Sequence, residues 1–251
     1  MLAEERQQMI LTALKDKNIL KLQEICELTN CSESSARRDL QLLEQRGALL
    51  RVHGGAKVKH SLQQEPDMTG KSLENIQQKK LIAKQAAELI KREDVIYLDA
   101  GTSTLAMIQY LNADNHLTVV TNGVVHASVL ADRNIRTILI GGELKNTTKA
   151  IVGVQTVREL LKYRFDKVFL GMNGIHVKYG FTTPDPDEAA VKTTASQQGN
   201  QTFILADDSK FSQVSFVKVA DLAAATIITN KLPRSVFNEY NAQTNIQEVS
   251  L

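Results

Sequence analysis

Val95-Ile96-Tyr97-Leu98-Asp99-Ala100-Gly101-Thr102-Ser103-Thr104 is an apolar run that ends in a carboxylate, a glycine and three hydroxyls, with helical periodicity beyond it. Such a run predicts a β-strand turning into a helix. Backbone N–H groups and the hydroxyls of Thr102, Ser103 and Thr104 would then face outward at the positive end of the helix dipole, a seat for an anion such as a phosphate. The same residues also suit an ordinary turn, in which Thr or Ser caps the helix and Gly101 relieves a positive φ angle. What surrounds the stretch decides between these readings.

Downstream, apolar strands alternate with helical segments: Leu117–Thr121, Thr137–Ile140, Lys167–Leu170, Thr202–Ala206 and Thr226–Thr229 join Val95–Leu98 as predicted strands. The alternation predicts an α/β fold with a mostly parallel sheet. Ligands of such sheets gather outside the carboxyl ends of the strands. Polar residues cluster at those ends: Asp99 and Thr102–Thr104, then Thr121-Asn122, Gly141-Gly142, and Gly171-Met172-Asn173-Gly174. Glu188 and Lys192 stand four apart on a predicted helix after Asp185, and Asp207-Asp208-Ser209-Lys210 follows a later strand. Each alone reads as a surface ion pair or a routine turn; together they predict one site.

Upstream, Leu73–Lys91 reads as one long helix with a broad apolar face that includes Ile76, Lys80, Ile82 and Ala83. It is preceded by a polar stretch with Pro66 and Gly70 that predicts a connection. Three short helices are predicted before it: Glu4 to Lys15, Leu22 to Leu28, and one from the N-cap Ser32 to Arg46, stopped by Gly47. In the third, Ala36, Leu40 and Leu43 form a packing face. The opposite face holds Ser34, Ser35, Arg37, Arg38 and Gln41, chemistry suited to phosphates and guanine edges in a major groove. A solvated face with the arginines near Asp39 and Glu44 is the plainer alternative. Leu49–Val58 then reads as two strands about Gly54-Gly55, a wing whose Arg51, His53, Lys57, Lys59 and His60 are suited to neighbouring phosphates. His53 also suits a turn. The candidate DNA contacts are therefore Ser32, Ser34, Ser35, Arg37, Arg38, Gln41, Arg51, His53 and Lys57.

The chain of 251 residues is 43% hydrophobic, enough for a substantial core, and its formal net charge of +2 does not advertise nucleic acid by bulk electrostatics. The first 60 residues hold ten Lys/Arg against eight Asp/Glu, which is the whole excess. That near-neutrality disfavours a non-specific nucleic-acid binder. Cys26 and Cys31 form no CxxC pair, the amino terminus lacks a secretory pattern, and no apolar run is long enough to span a membrane. A cytoplasmic protein with no metal, no cofactor and no membrane partner is expected.

Ser32-Glu33-Ser34-Ser35-Ala36-Arg37-Arg38-Asp39-Leu40, Leu43-Glu44-x-x-Gly47 and Arg51-Val52-His53-Gly54-Gly55-Ala56 resemble the winged helix-turn-helix signature of the DeoR family of bacterial sugar-metabolism regulators. Ser35-Ala36 stands where the family usually has Thr-Ile. The resemblance continues through Leu98–Thr104, Val120-Thr121-Asn122, Gly141-Gly142, Phe169-Leu170-Gly171, Asp187-Glu188-Ala189-x-Val191-Lys192 and Asp207-x-Ser209-Lys210-Phe211. One departure is Asn230, where the family typically has Asp.

The resemblance implies a winged helix-turn-helix domain over residues 1–58, a linker over 59–72, and a sensor and oligomerisation domain over 73–251. The sensor would be related to ribose-5-phosphate isomerase and would take a phosphorylated sugar. Asp99, Gly101, Thr102, Ser103 and Thr104 would seat the phosphate, with Lys192 or Lys210 adding charge. Asn122, Gly142, Asn173, Gly174 and Glu188 complete the expected effector site, and Leu73–Lys91 would couple it to DNA binding. The expected function is a repressor binding operator DNA as a homodimer or homotetramer, with an effector such as fructose 1-phosphate or, as an alternative, tagatose 6-phosphate. A sugar-phosphate isomerase with an accessory DNA-binding module, using Glu188 as general base, is the contrasting reading. The sequence shows neither a second acid nor oxyanion donors for it, so a non-enzyme is expected.

Overall fold

Apolar residues four apart, Ile10 and Leu14, give the first helix one buried face, and the rest of the N-terminal unit closes on that face. A computed structural model describes residues 2–17, 19–58, 62–63 and 68–249, and two compact units divide between residues 61 and 62. The first unit contains α1 (Ala3–Lys17), β1 (Ile19–Lys21), α2 (Leu22–Thr29), α3 (Glu33–Gln45), β2 (Leu49–Val52) and β3 (Gly55–Val58). Ile25, Ala36, Leu40, Leu43 and Leu49 are buried with Ile10 and Leu14 in one cluster. Asn30, left-handed at φ 47°, ends α2. Ser32 caps α3 by accepting from the Ser35 N–H. β3 pairs antiparallel with both β1 and β2. β1 was not expected: it has three residues and one buried side chain, too short for a periodic signal.

The second unit contains α4 (Met68–Leu73), α5 (Ile76–Glu88), β4 (Val95–Leu98), α6 (Thr102–Met107), β5 (Thr118–Thr121), α7 (Val124–Asp132), β6 (Arg136–Leu139), β7 (Glu143–Lys145), β8 (Ala150–Val152) and α8 (Val154–Leu160). There follow β9 (Phe165–Gly171), β10 (Gly174–His176), β11 (Gly180–Thr183), α9 (Pro186–Gln197), β12 (Gly199–Leu205), β13 (Val217–Ala220), β14 (Thr226–Asn230), α10 (Arg234–Asn241) and β15 (Ile246–Val249). The central sheet runs β15-β14-β12-β9-β4-β5-β6, and every adjacent pair in it is parallel. All six expected strands lie in it. Side chains alternate across it: Tyr97, Val168 and Leu170 join one core, Ile96, Leu98 and Phe169 the other.

From β4 the chain builds outward through β5 to β6, then returns to place β9 on the other side of β4. The strand order therefore reverses between β4 and β9, opening a crevice at their carboxyl ends. Two additions frame that region, the antiparallel sheet β10-β11-β13 and the hairpin β7-β8.

The helix expected over Leu73–Lys91 is present as α5 but starts later, after Asn75, which is left-handed at φ 51°, and a separate short helix, α4, precedes it. Part of the expected linker is thus helical, while 59–61 and 64–67, including Lys59, His60 and Pro66, lie outside the described residues. The buried face of α5 starts at Lys79 rather than Ile76; Lys80 is exposed, and Leu73 and Ile76 are 73% and 42% exposed. Among the described residues no helix is long and apolar enough to cross a membrane.

Candidate functional site

In the first unit, the exposed side of α3 carries Ser34, Arg37, Arg38 and Gln41. Ser32 is occupied as the N-cap, its Oγ 2.9 Å from Ser34 Oγ and 3.1 Å from Ser35 Oγ. Asp39 does not neutralise the neighbouring arginines. It is 2% exposed and accepts from Arg6 at 2.8 Å and Gln7 at 3.1 Å, tying α3 to α1. Arg37 pairs with Glu33 at 3.1 Å in an exposed i,i+4 contact, which leaves its cation in solvent. Arg38 makes no ion pair among the described residues. Glu44 accepts from the Arg51 backbone N–H at 2.9 Å and so holds the start of the wing to α3. Arg51 and His53 are exposed there, and Lys57 is half-buried.

In the second unit, the crevice between β4 and β9 opens into a cleft. Asp99, Gly101, Thr102 and Ser103 line it from the β4–α6 turn, with Gly171, Met172 and Asn173 from the end of β9. Glu188 and Lys192 come from α9, Asp207 and Lys210 from the segment after β12, Met68 and Lys71 from α4, Lys79 from α5 and Glu74 from the joint between the two helices.

The charges are largely matched inside the protein. Asp99 Oδ2 accepts from the Lys192 ammonium and from the Gly171 N–H at 3.1 Å, and Lys192 donates to Gly171 O at 3.1 Å. Glu188 Oε1 accepts from Lys145 at 3.0 Å and Thr148 at 2.7 Å. Lys145 also reaches Asp185 at 3.0 Å. Desolvation pushes the Asp185 carboxyl up, but the Glu188 N–H and Lys145 outweigh it and leave it below the usual range. Asp207 Oδ1 accepts from Asn75 at 3.1 Å, Ser209 N at 3.0 Å and the Ser209 hydroxyl. Lys79 and Lys210 form no ion pair among the described residues. Burial pushes the Lys79 ammonium down, opposed by Asp207.

Four expected residues do not line the cleft. Thr104 is fully buried, its hydroxyl donating inward toward Asp99 O (2.5 Å) and Gly101 O (2.8 Å) and accepting from Gly101 N (3.1 Å). Asn122 Oδ1 accepts from Tyr97 OH at 2.8 Å and Ala100 N at 3.1 Å, while Nδ2 donates to Ile151 O at 3.0 Å. Both acceptor directions of its amide oxygen and one amide proton are thus spent inside the protein. Gly142 sits against Thr156, and Gly174 against Thr182 and Gln213. Gly101 is extended at φ −108°, so no positive φ explains it; its Cα faces Gly171, where an added Cβ would lie 3.6 Å from Gly171 Cα. Asn230 exchanges hydrogen bonds of 2.9 Å with Asp208 and does not line the cleft.

Lys79, Lys145 and His126 were missed in the sequence. Lys79 had a signal, because it lies three and four residues before Ile82 and Ala83 on the apolar face of α5. His126 is fully buried beneath the turn, with Nε2 3.1 Å from both Thr104 Oγ1 and Gly101 O. Burial lowers its pKa to about 4, despite the nearby Asp99 carboxylate.

A winged helix-turn-helix unit with an exposed cationic helix face, followed in the chain by a parallel α/β unit with a polar cleft at its switch point, defines a DNA-binding transcription regulator. Residues 6–62 match the DeoR-like helix-turn-helix domain, and residues 74–231 match the DeoR C terminal sensor domain. The chain belongs to the DeoR family. It is 46% identical over 99% of both chains to a Bacillus subtilis protein described as an uncharacterized HTH-type transcriptional regulator, FruR. It is 35% identical, over 94% of this chain and 92% of the relative, to the HTH-type transcriptional repressor GlcR of the same organism. Among solved structures, ribose 5-phosphate isomerase A from Methanocaldococcus jannaschii is similar at a TM-score of 0.41 and 17% identity over 55% of each chain.

Proposed function

We propose that this protein is a repressor of a sugar-utilisation operon whose operator affinity is set by a phosphorylated sugar bound in the β4–β9 cleft. The observation that carries the reading is the charge arrangement there. Asp99, Glu188 and Asp207 are each engaged by protein donors, whereas Lys79 and Lys210, which line the cleft together with Thr102 and Ser103, form no ion pair among the described residues. An anionic group finds ammonium and hydroxyl donors in that cleft, and Asn173 adds a polar edge for sugar hydroxyls. The engagement of Glu188 by Lys145 and Thr148 argues against its use as a general base, and the named relatives are transcription regulators, which favours regulation over isomerase catalysis.

Fructose 1-phosphate is the first effector to test, supported by the similarity to the protein named FruR. Operator DNA would be read by α3 and the wing, with Arg37, Arg38 and Gln41 in the groove and Arg51, His53 and Lys57 on phosphates. A homodimer supplies two such modules and a homotetramer four. The experiment is a thermal-shift series with fructose 1-phosphate, tagatose 6-phosphate and inorganic phosphate, paired with operator titrations. Thr102→Val and Lys210→Ala are expected to weaken the sugar-phosphate response while leaving operator binding intact. If no sugar phosphate raises the Tm or alters operator affinity, the reading fails.

A further inference from the structure

The turn between α2 and α3 brings the two cysteines of the chain together. Four residues separate Cys26 from Cys31, too many for a CxxC motif. The end of α2 closes that gap. Asn30 is left-handed at φ 47°, its N–H donates to Glu27 O at 3.4 Å, and the Cys31 N–H donates to Cys26 O at 3.2 Å. These are the two bonds of a Schellman helix end, which sets the side chains of the residues joined by the longer bond, here Cys26 and Cys31, against each other.

Both thiols are free and half-buried, and both pack on the core of the first unit. The Thr29 hydroxyl, which donates to Ile25 O at 2.6 Å, lies 3.1 Å from Cys31 Sγ and holds that sulfur beside the helix end. Burial pushes the Cys26 thiol up, and Cys31 adds to this through its charge and a side-chain hydrogen bond, as a neighbouring sulfur does. The other charged groups about the pair are Glu33, which acts in the same direction, Arg37, which opposes it, and Arg6 near Cys31.

We propose that Cys26 and Cys31 form a reversible oxidation site, a dithiol that a small disulfide such as glutathione disulfide converts to an intramolecular bridge. One cysteine thiolate attacks glutathione disulfide, forming a mixed disulfide and releasing one glutathione. The second cysteine, as thiolate, attacks the protein sulfur of the mixed disulfide and displaces the other glutathione. Two cysteines are oxidised, one glutathione disulfide is reduced to two thiols, and the cysteine protons end on them. The Cys31 N–H to Cys26 O bond already brings the two backbones together, as such a bridge requires. The bridge staples the end of α2 to the residue before Ser32, the N-cap of α3, and so fixes the turn that aims Arg37, Arg38 and Gln41. Oxidation here is independent of the sugar-phosphate reading.

The test equilibrates the full-length protein with mixtures of reduced and oxidised glutathione, natively and in urea. Acid quench, alkylation and mass analysis then follow the tryptic peptide Leu22–Arg37, which contains both cysteines. Because the fold holds the thiols together, the bridge should be favoured in the native protein over the unfolded chain by about tenfold or more. The bridged peptide should be two hydrogens lighter than the reduced one and take up no alkyl group. Cys31→Ser should take up a single glutathione and form no bridge. A native preference equal to or below that in urea overturns the site, as do mixed disulfides without a bridge or bridges between chains on a non-reducing gel. The wild-type comparison decides the matter even where Cys31→Ser fails to fold.

Discussion

The ammonium of Lys192 and the carboxylate of Asp99 meet in the wall of the cleft, 6% and 2% exposed, and both are bound again by the backbone of Gly171. The pair joins α9 to the ends of β4 and β9. Removing one partner leaves an uncompensated buried charge, so Lys192→Met is expected to cost about 3–5 kcal/mol of stability. Combining it with Asp99→Asn should recover much of that loss, as read from urea midpoints of the four proteins in a double-mutant cycle. A double variant that loses the sum of the two single losses would show that the two side chains are not coupled.

His126 gives the sensor a specific acid sensitivity. Its folded pKa, about 4, lies below the ordinary 6.5, so the unfolded chain binds more protons between those values. Its contribution is present in full above about pH 6.5 and is lost as pH falls toward 4, about 3 kcal/mol in total. Urea melts at pH 7, 6 and 5 should show the wild type losing stability faster than His126→Gln. Parallel pH profiles would contradict the buried neutral imidazole.

Asp39 and Arg38 are neighbours with opposite expected phenotypes. Asp39→Asn weakens the tie to Arg6 and Gln7 and should lower the melting temperature of the winged module, carrying operator binding down with it. Arg38→Ala should leave melting unchanged while weakening operator binding. If Arg38 touches a phosphate, the slope of log affinity against log salt falls by about one. A base contact would instead relax the operator sequence at one position.

Gly142 serves the fold rather than the cleft. At φ 154°, an added Cβ would lie 2.1 Å from Thr156 Oγ1 and 2.8 Å from Val152 O. Gly142→Ala should therefore cost about 1–3 kcal/mol by crowding, seen in the urea midpoint. Sugar-phosphate affinity per folded molecule should be unaffected.

Most of the parallel core was legible because its inner strands are apolar enough to be buried on both faces, as Val95–Leu98 and Lys167–Leu170 show, whereas the half-polar edge strand β15 was not expected. Strands outside that core were not. β10 and β11 are three and four residues long and begin with glycine, and β7 is polar, so neither length nor alternation marks them. At the site, residue type located the cleft but not the direction of each side chain. Thr102 and Thr104 read alike in sequence; only the fold shows that Thr104 turns inward beneath the loop. The joint at Asn75 was hidden because Leu73 and Ile76 keep helical spacing across it and asparagine tolerates a left-handed backbone without a glycine to announce it.

The internal matching of Asp99, Glu188 and Asp207 has a consequence for signalling. A switch carries information only when both of its positions are durable, and a protein that unravels without its signal has just one. Asp99, Glu188 and Asp207 are satisfied by Lys192, Lys145, Thr148, Asn75 and Ser209, so these three carboxylates are held in place by the protein itself. On the sugar-phosphate reading proposed above, both positions of the switch would then belong to a folded repressor.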